Sequence, residues 1–376
     1  MKKKVLILSF TDATRDPRVY RQLQTLNEEY QLTVIGFGDP GMDGVAYFPV
    51  SHHPSTSIAE RCYRATTLLL GKYEPYLHGR YRVLAEEAWD ARYDCVIVND
   101  LEPLPLGFAL SKGAPVVFDA HEYYPEESAD WKRRFFFQRP SYNLCEKWLS
   151  ACAAMMTVSE GLAKKYCEEF QVNPLLVYNT PYSCELPMKK VKEDTIRIIH
   201  HGGASRARKL EKMIELVPLL DKRFHLDLML VPSDPGYLEE LQEKGKRIPR
   251  LRFIAPVPMP EIATKLNSYD IGLYLLEPSC FNEVYALPNK FFEFIQARLC
   301  LAVSPTQGMG PFVKKHGLGV VSEDFSMLTM ATALNALSTD DIFRYKHNSD
   351  TASRIFNGEV GAKIIRDTVV KVIAGT

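Results

Sequence analysis

Three short segments of this chain concentrate side chains able to do chemistry. The first is Asp119-Ala120-His121-Glu122-Tyr123-Tyr124-Pro125-Glu126. It follows Pro115 to Phe118, an apolar run that reads as a strand, so it falls at a strand's C-terminal end, where open α/β sheets bind ligands. A histidine there exchanges a proton near neutral pH, and adjacent carboxylates either fix its tautomer or hydrogen-bond to hydroxyl groups. His121 and Glu122 are the catalytic candidates; the alternative is that Asp119 and Glu122 cap the helix that follows.

The second segment is His200 to Leu210, HHGGASRARKL. Gly202 and Gly203 let a backbone approach a ligand closely, and Arg206, Arg208 and Lys209 then offer charge to phosphate oxygens. Departure of a diphosphate needs such charge, because its oxygens gain negative charge in the transition state. His200 and His201 read as structural. The third segment is Tyr285 to Ile295, YALPNKFFEFI. Pro288 suits the first turn of a helix, which leaves the amides of Asn289, Lys290 and Phe291 as donors to a diphosphate. Glu293, about one turn inside, has the reach to accept from the two hydroxyls of a ribose. Phe291, Phe292 and Ile295 read as core.

Two other patterns fail on context. Gly36 to Gly41 matches G-x-G-x-x-G after a predicted strand, but Pro40 biases Asp39 away from helix and Val45 to Val50 reads as strand, so it is a turn. His121-Glu122 begins like H-E-x-x-H, yet Pro125 stands where the second histidine belongs, which excludes a zinc protease.

The elements that must position these segments alternate. Val5 to Phe10 reads as a strand buried on both faces, Val19, Leu23 and Leu26 as one face of a helix, and Leu32 to Gly36 as the next strand. Strands follow at Cys95 to Val98, Pro115 to Asp119, Met155 to Val158 and Leu175 to Tyr178. The pattern breaks after Asn179-Thr180-Pro181, through the charged stretch Met188 to Thr195, and restarts. Ile196 to His200, Leu226 to Val231, Leu251 to Ile254, Ile271 to Leu275 and Leu301 to Ser304 form a second set. A chain of 376 residues exceeds one usual core, so we expect an N-terminal domain over 1–183, a C-terminal domain over 190–355, and a last helix within 356–376 whose periodicity allows packing on either. Facing sheets put a ligand cleft between their C-terminal strand ends.

Bulk properties exclude more than they assign. Lys+Arg and Asp+Glu are equal at 46 each, so no global field recruits nucleic acid. The eight cysteines contain no C-x-x-C pair, which fits neither a zinc site nor a disulfide framework and suits reduced thiols in the cytoplasm. The basic-then-apolar start reads as a first strand rather than a signal peptide, and no run approaches the ~20 apolar residues of a membrane span.

With these segments in order, the chain resembles the retaining glycosyltransferases of family 4, bacterial polysaccharide-type members. Thr14 to Val19, Asn99-Asp100 with Leu104-Pro105, Asp119 to Glu122, Val158-Ser159-Glu160, Tyr178 to Pro181, the Gly-Gly-to-Arg-Lys stretch and Leu287 to Glu293 carry the resemblance. It implies the GT-B fold, α/β with two facing Rossmann-like parallel-sheet domains, and transfer of a sugar from a nucleotide sugar to a glycan or lipid-linked acceptor with retention. It places Lys209 and Arg208, with Gly203, Arg206, Asn289 and Lys290, on the donor diphosphate and Glu293 on the ribose. His121 would lie beside the transferred sugar, with Asp16, Arg18, Asp100 and Asp119 on the acceptor side. No metal or other cofactor is implied, and the chain lacks an Asp-x-Asp pair to hold one. The family's first paired acid falls at Tyr285, with Glu283 or Asn282 as stand-ins, and Gly203-Ala204 replaces the usual Gly-Arg.

Trp131 to Arg139, WKRRFFFQR, interleaves cations and aromatics as a membrane-surface segment does, and Arg61 to Arg82 has a similar composition. The expectation is a cytoplasmic enzyme held at the inner membrane face. The alternatives are a nucleotide-sugar epimerase of the same architecture and a non-catalytic glycosyltransferase relative.

Overall fold

The computed structural model describes residues 2–14, 16–50, 57–72, 84–128 and 130–375. Arg15 and residues 73–82 of the Arg61-to-Arg82 stretch lie outside them. The chain divides into two compact units, Met1–Tyr178 with Cys280–Asn282 and Gly361–Thr376, and Asn179–Ser279 with Glu283–Val360.

The first unit holds β1 (Lys4–Asp12), β2 (Gln31–Phe37), β3 (Ala46–Pro49), β4 (Cys95–Asn99), β5 (Val116–Ala120), β6 (Ala154–Thr157) and β7 (Leu175–Leu176). They pair in parallel in the order β3-β2-β1-β4-β5-β6-β7. β4 and β5 are buried throughout, which is why their sequences are apolar runs rather than alternating ones. One face is covered by Val19, Leu23 and Leu26 of the helix Pro17–Leu26 and by Ile365 and Val369 of the helix Gly358–Ala374. Burying each such aliphatic side chain contributes ~1.5–3 kcal/mol.

The second unit holds β8 (Ile196–Ala204), β9 (Phe224–Pro232), β10 (Leu251–Ile254), β11 (Ile271–Tyr274), β12 (Cys300–Val303) and β13 (Gly319–Val321), parallel in the order β10-β9-β8-β11-β12-β13. Its core joins Ile196, Ile198, Leu226, Leu228, Ile271 and Leu273 to Met213, Leu241 and Leu334 of the flanking helices.

In each unit the strand order reverses once, between β1 and β4 and between β8 and β11. Such a reversal opens a crevice at the carboxyl ends of the two strands. Asn99-Asp100 leaves β4 at the first crevice, and Gly202-Gly203 ends β8 at the second. The Gly36-to-Gly41 segment spans the end of β2 and a turn, with positive φ at Gly38 and Gly41, before β3.

Candidate functional site

The second unit gathers several basic side chains at its crevice. After β8, Ser205 leads into a short 3-10 turn, Arg206–Arg208, closed by Lys209 in the left-handed region at φ 48°. Asp234, beyond β9, fixes that turn by accepting from Ser205 Oγ (3.1 Å) and Arg206 N (2.6 Å). A Cβ at Gly203 would lie 2.5 Å from Ser233 Oγ, so a side chain there would displace that hydroxyl. Arg206 turns away from the crevice to Glu240, donating from Nη1 at 2.8 Å. Lys209 and Lys212 both donate to Glu277 Oε2, at 2.9 and 2.8 Å, and together pull that carboxyl down to about 2.

Across the crevice stands the helix Asn289–Gln296, with Pro288 as its N-cap residue rather than inside its first turn. Phe291, Phe292, Phe294 and Ile295 are fully buried and hold the helix, Phe294 lying on Gly272 of β11 so closely that a Cβ there would be 2.4 Å from the ring. Phe291 N donates to Pro288 O at 2.9 Å and is therefore not available as a ligand donor, because the helix opens with a tight turn. Lys290 leaves the first turn and runs to Gly202, where its Nζ would be 2.6 Å from a Cβ and Arg208 Nη1 3.5 Å. Lys290 is 6% exposed, and its Nζ makes no hydrogen bond. Glu293 Oε2 lies 3.1 Å from His201 Nε2. His200, fully buried, donates from Nδ1 to Leu273 O at 2.9 Å, and burial keeps it neutral. Arg208 and Lys290, far apart in sequence, thus meet at one glycine; Arg206 pairs with Glu240, and Lys209, paired with Glu277, lines a cavity together with Arg208 and Lys212.

The first unit builds a polar network at β4 and β5. Asp16 caps the helix Pro17–Leu26, accepting from Arg18 N (2.9 Å) and Val19 N (3.3 Å). Buried Arg18 donates from Nε to Asp119 Oδ2 at 2.7 Å and pairs through Nη2 with the other oxygen. Gln22 donates to Asn99 Oδ1 at 2.8 Å and to Asp119 as well. Burial opposes ionisation of Asp119, but Arg18 and His121 hold its carboxyl far below the usual range.

His121 lies between two acids, its Nδ1 3.3 Å from Asp100 Oδ1 and its Nε2 3.3 Å from Asn99 Oδ1 and 3.8 Å from Asp119 Oδ2. Burial disfavours its charge, yet the carboxylates of Asp100 and Asp119 outweigh burial and raise it to about 9. At neutral pH it is an imidazolium, a donor rather than the proton acceptor its position at a strand end suggests. Glu122 is the group poised near neutrality, pushed to about 7 by burial and by Glu127 and Asp100. Asp100 sits in the left-handed region at φ 70° and accepts from Tyr124 Oη. Thr11, Asp100, His121, Glu122, Tyr124 and Arg133 are among the residues lining a cavity of about 320 Å³.

Neither stand-in for the acid expected at Tyr285 is unengaged. Glu283 accepts from Ser279 N and Oγ, both at 2.6 Å, closing its own loop. Asn282 belongs to the first unit: its Oδ1 accepts from Tyr123 N at 2.7 Å and its Nδ2 donates to Glu122 at 3.3 Å. Gln22, Tyr274 and Glu277 escape the sequence reading, since none stands in a charged or glycine-rich run. Among the described residues no group of three or more His, Cys, Asp or Glu is placed to hold a metal ion.

No protein-family model matches the chain, and no curated protein does. Solved structures do match. Sucrose-phosphate synthase from Thermosynechococcus elongatus aligns at TM-score 0.70 and 13% identity, covering 100% of both chains. Anabaena HepE, solved with UDP and glucose, aligns at TM-score 0.67 and 13% identity over 98% of this chain and 100% of its own. WaaG, a glycosyltransferase of lipopolysaccharide biosynthesis, aligns at TM-score 0.66 and 14% identity over 96% of this chain and 99% of its own. Two all-parallel α/β units aligned along their whole length with such structures define the class: this chain has the GT-B fold of glycosyltransferases.

Proposed function

We propose that this protein is a retaining glycosyltransferase. The second unit binds a nucleotide diphosphate sugar, and the first unit binds a glycan or lipid-linked glycan acceptor, in the building of a surface polysaccharide. The observation that carries the reading is the buried Lys290 Nζ, left without a hydrogen bond beside Gly202 and within reach of Arg208. A buried amine in that state can carry its charge only beside an anion, and a diphosphate supplies one. Nucleotide-sugar chemistry is what the aligned structures solved with UDP and glucose or UDP-glucose contain.

In this reading Arg208 and Lys290 neutralise the leaving diphosphate without a divalent cation, and Glu293, 3.1 Å from His201, accepts from the ribose hydroxyls. Retention follows attack on the face from which the diphosphate departs. His121, as imidazolium, donates to a sugar hydroxyl, and Glu122 is the carboxyl able to exchange a proton near neutral pH. No helix among the described residues is long and apolar enough to cross a membrane. The helix Trp131–Trp148 instead exposes Trp131 (71%), Phe135 (66%) and Tyr142 on one stripe beside Lys132 and Arg134, which suits attachment to the cytoplasmic face.

The test is a thermal-shift screen against UDP- and GDP-sugars, with and without EDTA. A donor at ~100 times its Kd stabilises by about 2.7 kcal/mol. Stabilisation by a nucleotide sugar that survives EDTA is expected; no response to any of them ends the proposal.

A further inference from the structure

The charge state of Lys290 in the empty site follows from what surrounds it. Burial penalises its ammonium first, and the permanent guanidinium of Arg208 adds to the penalty. His200 on β8 is neutral and offers no counter-charge. From β11, Tyr274 turns its ring to the amine, 4.9 Å from centroid to Nζ, a contact that favours the charged form but supplies no counter-ion. From the same helix Glu293 favours the charge, but its carboxylate is directed to His201 at 3.1 Å. These opposing effects leave the amine titrating well below its ordinary range.

We propose that Lys290 stands in the empty site as a neutral amine and takes up one proton as the donor diphosphate enters. This rests on the donor reading of the second unit and adds proton coupling to it. The proton passes from solvent to the Nζ lone pair, no covalent bond of the donor changes, and the new ammonium becomes the counter-ion of the diphosphate. Affinity is then highest at low pH, falls about tenfold per pH unit above the free-site midpoint, and levels off above the bound-site midpoint.

Calorimetric titration with UDP-glucose at about pH 8 tests this, in Tris, Tricine and HEPES, whose ionisation enthalpies differ. The diphosphate of UDP-glucose is a fully ionised diester, so any proton taken up goes to the protein. The expected result is an apparent enthalpy that varies with buffer at a slope of roughly one proton absorbed, and a slope near zero in Lys290→Arg, whose cation is permanent. A zero slope in the wild type, or the full slope surviving in Lys290→Arg, overturns the proposal; the latter assigns the proton to another group such as His200. Should Lys290→Arg not fold, His200→Gln replaces it: a retained slope supports Lys290, a lost one overturns it. Binding with no proton uptake strikes this inference alone, whereas failure of both UDP-glucose and GDP-mannose to bind removes it together with the donor reading.

Discussion

Lys290 Nζ occupies the place where position 202 would carry a side chain, 2.6 Å from an ideal Cβ on Gly202. The end of a central strand and the first turn of a distant helix are therefore built around one small volume. Gly202 also holds φ at 129°, a backbone region that L-residues rarely adopt. Two separate constraints exclude a side chain at the point where the diphosphate is proposed to rest.

Gly202→Ala violates both constraints. The expected outcome is a loss of roughly 1–3 kcal/mol of stability from backbone strain, read by urea unfolding. UDP-glucose affinity should fall by about tenfold or more as Lys290 is displaced, read by calorimetry. Unchanged affinity in a folded variant would place the ligand away from Lys290.

The two arginines of the β8 turn should separate. Arg208 reaches Gly202, while Arg206 is held by Glu240 at the surface. A charged hydrogen bond contributes about 1.5–3 kcal/mol, so Arg208→Ala is expected to weaken UDP-glucose by roughly 10- to 150-fold. Arg206→Ala removes a solvent-screened surface ion pair and should leave affinity within a few-fold. Equal losses in the two variants would show that the Glu240 pair opens on binding.

Arg18 and Asp119 form a buried charge pair. Arg18→Met strands the carboxylate and is expected to cost about 3–5 kcal/mol, whereas Arg18→Met with Asp119→Leu should recover part of that loss. Urea midpoints of the two proteins check it, and a double variant less stable than the single one contradicts the assignment.

His121 makes stability depend on pH with a definite sign. Its proton is held up to about 9 in the folded protein against an unfolded value of 6.5, so its contribution is complete below the unfolded value and is lost as pH rises through the folded one. Its magnitude is on the order of 3 kcal/mol. Glu122, raised to about 7, adds a decline at lower pH, since its proton is also retained by folding. Neutral Lys290 acts with the opposite sign over the same range, so the readout is the difference in unfolding free energy between wild type and His121→Gln: the stability that His121 adds should shrink as pH rises from about 6.5 to about 9. A difference that does not change with pH would assign the proton to another group.

Membrane attachment can be read on the exposed stripe of the helix Trp131–Trp148. Trp131 and Phe135 face outward, whereas Phe136 and Phe137 are half-buried, so Trp131→Ser with Phe135→Ser alters the surface and spares the packing. Flotation with vesicles rich in anionic lipid should drop several-fold in the double variant and in high salt. Equal flotation of wild type and variant, or none by either, removes the membrane surface from the proposed function.

Much of the architecture is determined by the sequence itself, because strand and helix periods are local records of which side chains are buried. The apolar runs at Cys95 to Val98 and Pro115 to Asp119 read as doubly covered strands, and β4 and β5 are such strands. The restart at Ile196 falls at the start of β8. β13 escaped because three residues, Gly319–Val321, are too few to show a period. The sequence also picks out Arg206, Arg208 and Lys209 as cations and Lys290 for its backbone amide, but it does not show which of their side chains meet.

Only the tertiary structure separates these cations, because a charge is defined by what lies within a few ångströms of it. Glu240 and Glu277 come from other segments to engage Arg206 and Lys209, while Gly202 and Tyr274 surround Lys290 with nothing that accepts its protons. In the same way Asp100 and Asp119, brought together by neighbouring strands, turn His121 from a proton acceptor into an imidazolium. Periodicity along the chain reports burial; the meeting of segments distant in sequence sets protonation and pairing, and no local pattern encodes it.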